Sequence, residues 1–266
     1  ARRGRPEVTP IYTLEDAEAA LRTFSPIAYD EWIEPAEGVR ARFWNAGHIL
    51  GSSSIEIELM TGIESPRTMR LLFSGDIGPE VTSFHPTPDS PRNLDYLICE
   101  ATYGARERPA MTLASRRDLL AAEANEALKG KGVLIVPSFA VERTQELLSD
   151  LLALAHERRI PQVPIFLDSP LAIRATEVFV DHARELEDGD AFRHAMRSPL
   201  LRTTESVQES MMIERIEGSH IIVAASGMCD AGRIRHHLKN HLWRNNATVL
   251  MVGYQAEGTL GRILQN

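Results

Sequence analysis

The sequence has little cysteine: Cys99 and Cys229 are the two in its 266 residues, and they lie far apart. Two are too few for a disulfide framework or a cysteine-built zinc site, and a reducing compartment suits them. No run approaches the roughly 20 apolar residues of a membrane span, and nothing near Ala1 reads as a signal peptide. A cytoplasmic protein with no membrane segment is therefore expected. A basic surplus is also missing. The net charge of -8 argues against a sequence-independent grip on nucleic acid over the whole surface, so any hold on phosphate must be local. Basic residues gather at Arg2, Arg3 and Arg5, at Arg158 and Arg159, and along Arg233, Arg235 and Lys239, which read most simply as solvated faces. There is no internal repeat, low-complexity linker or long charge block. What remains is an ordinary globular composition, with a length that allows one large domain or two ordinary ones.

The pattern changes along the chain. Thr13-Leu14-Glu15-Asp16 is a capping-box signature, and Leu14, Ala17, Leu21 and Phe24 follow at helical spacing, so a helix is expected over 13–24. Val39, Ala41 and Phe43 alternate with polar or amphipathic neighbours, as do Ile55, Ile57 and Leu59, which predicts two half-buried strands with the loop 45–52 between them. Two further apolar runs, 69–73 and 94–99, each end just before an acid, Asp76 and Glu100. From about Lys131 the order becomes strand, helix, strand, helix. The runs 133–136, 163–167, 221–225 and 248–252 suit strands buried on both faces, with helices expected over 141–158, 171–187, 205–216 and 231–243 and a last one from near Ala256. A parallel sheet flanked by helices follows.

Small pieces carry the chemistry, each with a plainer alternative. His48, in a glycine-flanked loop between strands, reads as a metal ligand or as an ordinary histidine. Asp76 can ligate metal or cap the next turn. Glu100 can orient a catalytic histidine or pair with an arginine. His237 and His241 are four apart on one helix, but Leu238 stands where a zinc protease needs glutamate, so a polar helix face is expected instead. The segment 226–233 follows a strand and opens a helix, a setting in which backbone N–H groups of Ser226 and Gly227 attract phosphate; it lacks the Gly-Lys-Ser/Thr ending of a P-loop, and a tight turn explains it equally well. Ser138 and Arg143 occupy a similar strand-to-helix turn, where Arg143 can meet a phosphate or an acid.

In order, Ala46-Gly47-His48-Ile49-Leu50-Gly51-Ser52, Phe73-Ser74-Gly75-Asp76-Ile77-Gly78, Glu100-Ala101-Thr102-Tyr103-Gly104, Phe139-Ala140-Val141-Glu142-Arg143-Thr144-Gln145-Glu146, Ser226-Gly227-Met228 and Gly253-Tyr254-Gln255-Ala256-Glu257-Gly258-Thr259-Leu260-Gly261-Arg262 resemble successive motifs of the β-CASP nucleases of the metallo-β-lactamase superfamily. That branch includes ribonuclease J and the polyadenylation endonuclease, and the bacterial and archaeal forms are resembled most. The resemblance implies an α/β fold class: part of a metallo-β-lactamase αββα sandwich over 1–104, then a β-CASP domain with a parallel sheet flanked by helices over 105–266. It implies that His48 is a zinc ligand, that Asp76 bridges metals and takes part in catalysis, and that Glu100 supports a catalytic histidine. It also implies that Ser138, Arg143, Ser226 and Gly227 face single-stranded RNA. Two zinc ions would lower the pKa of a water that attacks phosphorus. A homodimer is compatible with this reading.

The chain departs from the family in specific places. His-x-His-x-Asp-His occurs nowhere in it, nor does a later Ser-Ala-His-Ala-Asp-like segment, so most of the family's metal ligands are absent and a fragment is expected. Ala101 stands where serine is usual, Ala105 where aspartate is usual and Glu142 where glycine is usual. An RNA hydrolase is thus the leading expectation. A catalytically inactive β-CASP scaffold that binds RNA or protein comes second, and a small-molecule metallohydrolase third.

Overall fold

The first helix starts where the capping box places it. In the computed structural model, which describes residues 10–62, 67–79, 84–105, 107 and 111–266, Thr13 accepts from the Asp16 N–H while Asp16 accepts from the Thr13 N–H. Helix α1 spans Leu14–Leu21 and ends before Phe24. Arg2, Arg3 and Arg5 lie outside the described residues.

Strands β1 (Trp32–Ala36), β2 (Val39–Asn45), β3 (Ser53–Thr61), β4 (Arg67–Phe73) and β5 (Tyr96–Ile98) form one five-stranded sheet in sequence order. Neighbours are antiparallel except β4 and β5, which run parallel. The register lines up Ala41, Ile57, Leu71 and Tyr96, and beside them Phe43, Ile55, Phe73 and Ile98, so one face is apolar throughout. On the other face Glu56 is 0% exposed beneath Arg42, Arg70 and the Trp44 indole N–H, all of which donate to its carboxylate. Those contacts outweigh the cost of burial and keep its pKa below the usual carboxylate value.

The second sheet follows helix α2 (Leu113–Ala127). Its strands are β6 (Val133–Pro137), β7 (Ile165–Leu167), β8 (Leu201–Thr203), β9 (His220–Ala224) and β10 (Ala247–Val249), in the order β10-β6-β9-β7-β8, and every pair is parallel. Alternate residues supply the two faces. Leu134, Val136, Ile165, Leu167, Ile221 and Val223 pack with α2, α3 (Arg143–His156) and α4 (Pro170–Asp181). Val133, Ile135, Phe166, Ile222 and Ala224 pack with α6 (Val207–Ile213) and α7 (Ile234–His241) on the opposite face. Helix α5 (Gly189–Met196) and the final helix α8 (Leu260–Gln265) complete the set among the described residues.

The expected parallel sheet is therefore present, and the differences from expectation lie in short or weakly patterned elements and at helix starts. Strand β1, which contains Pro35, and the three-residue β8 escape the alternation rule, and α2 buries only Leu120, Ala121, Ala124 and Ala127, which leaves little apolar stripe to read. Helix α3 begins two residues later than expected because Glu142, with φ 70, cannot be helical. Helix α8 waits for Thr259, whose side chain caps it, rather than starting near Ala256.

Phe84, in the segment between β4 and β5, crosses to the helices of the second sheet. It packs with Phe179 and Phe192, and Leu50 from the β2–β3 loop joins the same cluster. The loops of the first sheet are thereby anchored on α4 and α5.

Candidate functional site

The β2–β3 loop is held by its own polar groups. The Gly47 N–H donates to Asn45 Oδ1 at 2.8 Å, and Ser52 Oγ accepts from the His48 and Ile49 N–H groups at 3.0 and 3.1 Å. These bonds point the His48 ring outward. The loop after β4 is pressed against it: the Gly78 N–H donates to the Ala46 carbonyl at 2.8 Å, and a Cβ added at Gly78 would meet the Gly47 carbonyl oxygen at 1.7 Å. Only glycine allows that approach. It brings His48 Nε2 within 4.0 Å of Asp76 Oδ2, with both side chains open to solvent.

Glu100, just past β5, belongs to the same group of loops. Its carboxylate accepts from the Ile77 N–H at 3.2 Å and the Thr102 N–H at 3.0 Å, while its own N–H donates to Ser74 Oγ at 2.9 Å. The hydrogen bonds from Thr102, and then that from Ile77, hold its carboxyl below the usual carboxylate range, and the nearby His48 adds to the effect. The three acid- and histidine-bearing loops therefore meet at one end of the first sheet. His48 Nε2 and Asp76 Oδ2 stand 4.0 Å apart, wider than the roughly 3.4 Å between two ligands of a tetrahedral zinc, so a small rotation of these exposed side chains would let both donors reach one metal ion. Among the described residues no group of three or more His, Cys, Asp or Glu is arranged to hold a metal, so the donor set stops at two.

The turn after β6 carries the next sequence-selected residues. The Ser138 N–H donates to the Ala224 carbonyl at 3.1 Å, and the Ser138 side chain is buried with its hydroxyl on the Phe139 carbonyl. Arg143, half-exposed at the start of α3, is paired with Glu146. Glu142, the acid standing in a glycine position, turns its carboxylate to His85 Nε2 at 2.5 Å in a largely buried pair. His85 is followed by Pro86, whose carbonyl lies against Gly47, so one short segment touches both the His48 loop and the Arg143 turn. Nothing in the spacing of His85 and Glu142 announced this pair.

Ser226 and Gly227 follow β9. Ser226 Oγ accepts from the Ala231 N–H at 3.3 Å, and Gln255 Nε2 donates to the Gly227 carbonyl at 2.9 Å. Beside them the expectation of a solvated face holds for Arg235 and Lys239, which are exposed, and needs correction for Arg233, His237 and His241. Arg233 Nη1 and His237 Nε2 each lie 2.6 Å from Asp168, which directly follows β7 and is 0% exposed. Burial alone would raise the Asp168 pKa, but hydrogen bonds from His237, Ser210, Thr204 and Arg233 outweigh it and keep the carboxyl well below its usual range. His241 is also buried, and its Nδ1–H donates to the His237 carbonyl at 2.9 Å, whereas His236 is the exposed member of the three. The helical spacing was legible; the face it pointed to was the inner one, because Asp168 supplies a partner from a distant strand.

Residues 144–264 match the Beta-Casp domain family. The chain is similar to Ribonuclease TTHA0252 of Thermus thermophilus, 33% identical over 257 residues that cover 95% of this chain and 57% of that protein. It is 32% identical over 261 residues to an RNase J-like protein of Methanocaldococcus jannaschii, covering 97% of this chain and 59% of the relative. Over 260 residues it is 29% identical to Endoribonuclease ysh1 of Schizosaccharomyces pombe, 96% of this chain and 33% of the relative. The chain thus spans less than two thirds of each of these curated relatives.

Proposed function

We propose, from the premise that this chain belongs to the β-CASP branch of the metallo-β-lactamase superfamily, that it serves a zinc-dependent nuclease that hydrolyses phosphodiester bonds in single-stranded RNA. The division falls near residue 104: 1–104 is a portion of the metallo-β-lactamase domain and 105–266 is the β-CASP domain. The observation that carries the reading is the approach of His48 to Asp76, with Glu100 tied to the same loop through the Ile77 N–H.

His48 and Asp76 hold the metal in this reading, and further ligands come from outside the two. With zinc bound, the chemistry supplied is a water acidic enough to attack phosphorus at neutral pH and relief of the charge that develops on the phosphate oxygens. Glu100 stays ionised, fixed by two backbone N–H groups, and orients a histidine that these residues do not include. Arg143 and the Gly227 backbone N–H receive the phosphates of the strand, while Ser226, whose N–H donates to the Ala231 carbonyl at 3.2 Å, and buried Ser138 fix the turns beside them. Because the whole chain carries a charge of -8, this grip is local, so binding should depend on salt with a shallow slope. The protein works in the cytoplasm; among the described residues no helix is long and apolar enough to cross a membrane.

A second reading, an inactive scaffold that binds RNA, draws on the donor set of two. One comparison separates them. In a protein carrying this chain with the segments its relatives have outside it, Glu100→Gln should cut RNA turnover at least a hundredfold while zinc content stays unchanged, as expected for a group that positions a general acid or base. RNA binding without zinc-dependent cleavage by the unsubstituted protein would favour the scaffold. Equal loss of zinc and turnover in Glu100→Gln would instead make Glu100 a ligand.

A further inference from the structure

The turn between β6 and α3 displays an aromatic ring that packs on one side and leaves much of its surface in solvent. Phe139 is 44% exposed, yet its backbone is fixed from two sides: its carbonyl accepts from the buried Thr144 hydroxyl at 2.6 Å, and the adjoining Ser138 N–H is bonded to the end of β9. The ring is seated on bare backbone. A Cβ at Gly227 would meet Cδ2 and Cε2 of Phe139 at 2.8 and 2.9 Å, and one at Gly253 would lie 3.8 Å from Cε2. Any side chain at Gly227 would displace the ring. The two glycine segments follow β9 and β10 and are joined by one amide, since Gln255 Nε2 donates to the Gly227 carbonyl at 2.9 Å and the Gly253 carbonyl at 3.2 Å. Gln255 is itself buried, and Gly261 leaves no room for a Cβ beside its Oε1.

The ring therefore stands rigidly at the carboxyl ends of three adjacent parallel strands, β10, β6 and β9, which is where open α/β sheets bind ligands. Holding a large apolar surface in water at a fixed angle is unfavourable for the free protein and useful for a flat partner. Arg143, four residues further on, is half-exposed and paired with Glu146, so the same turn holds a cation that a phosphate can engage by taking the place of that carboxylate. That combination matches a nucleotide within a strand: its base has a π-face to lay on the ring, and its phosphate is an anion.

We infer that Phe139 is a base-stacking platform for one nucleotide of the RNA strand. The inference rests on the RNA reading given above and adds to it a specific contact. Stacking on a phenyl ring tolerates any base, so this subsite contributes affinity and register along the strand rather than sequence preference.

The experiment uses this chain and a short single-stranded RNA carrying 2-aminopurine at successive positions, whose fluorescence is quenched by stacking. Quenching is expected at one position above the others. Phe139→Leu should abolish it and weaken binding about tenfold or more, while Phe139→Trp should preserve both. An abasic nucleotide at the quenched position should weaken binding to the unsubstituted chain by a similar factor and have no further effect on Phe139→Leu. This abasic arm needs no substitution in the protein, so it stands even if Phe139→Leu fails to fold. Full affinity in Phe139→Leu, or indifference of the unsubstituted chain to the abasic position, overturns the stacking contact alone. Absence of any RNA binding by the unsubstituted chain overturns the RNA reading with it.

Discussion

The two five-stranded sheets differ in where their apolar surface goes. In the parallel sheet β6, β7 and β9 are buried at every position, and helices cover both faces. In the first sheet no strand is buried throughout; β5 is exposed along its length, and Phe73, Tyr96 and Ile98 leave much of the apolar face open among the described residues. Yet the first sheet carries His48, Asp76 and Glu100 on its loops, while the second carries the bulk of the core. Stability and the candidate chemistry thus reside in different halves, joined by Phe84 and His85.

Core truncations should expose the difference most strongly. Leu148→Ala or Leu151→Ala, both fully buried in α3, should cost about 2–5 kcal/mol in urea denaturation, because each leaves a cavity in a packed layer. Ile57→Ala, half-buried in β3, should cost about 1 kcal/mol, since part of its surface is already in water. Similar losses at both places would mean the first sheet is as well covered as the second.

Next in size is the buried charge at the end of β7. Asp168→Asn leaves Arg233 without its anion and should cost about 3 kcal/mol. Its folded pKa lies below the ordinary 3.8, so the unfolded chain binds more protons in acid; the stabilisation is present above that value and lost as pH falls through the carboxylate range. His220 and His241 add an earlier acid limb. Burial lowers their pKa values below 6.5, so they stay neutral in the fold while the unfolded chain takes up protons, and stability should fall as pH drops through 6.5. Thermal melts at a series of pH values should show this limb reduced in His241→Gln and retained in Asp168→Asn.

The smallest effect belongs to the junction between the halves. Glu142→Gly loses the contact with His85 but relieves a non-glycine residue at φ 70, whereas Glu142→Ala loses the contact and keeps the strain. Glu142→Ala should therefore be less stable than Glu142→Gly by about 1 kcal/mol. Equal stabilities would show that the backbone there relaxes.

The parallel sheet was legible because strands such as Ile221–Val223 are continuous apolar runs, and the first helix because Thr13 and Asp16 close a capping box in four residues. Glu142 shows a limit: it stands where the resembled family usually has glycine, and only its distant partner His85 accounts for an acid there. Asp168, Arg233 and His237 meet across 69 positions of sequence, a pairing that periodicity cannot reveal. The placement of His48 near Asp76 depends on Gly47 and Gly78 letting two loops touch, and the motif order hinted at that contact without fixing its distance.

The most direct test of a shared metal site follows the chain by NMR while zinc is added. The His48 imidazole and the backbone of residues 74–78 should shift together, ahead of the other histidines, with less than two zinc ions bound per chain because only two donors are supplied. Asp76→Asn should abolish the His48 response. A His48 ring that does not respond, or that responds unchanged in Asp76→Asn, would contradict the account.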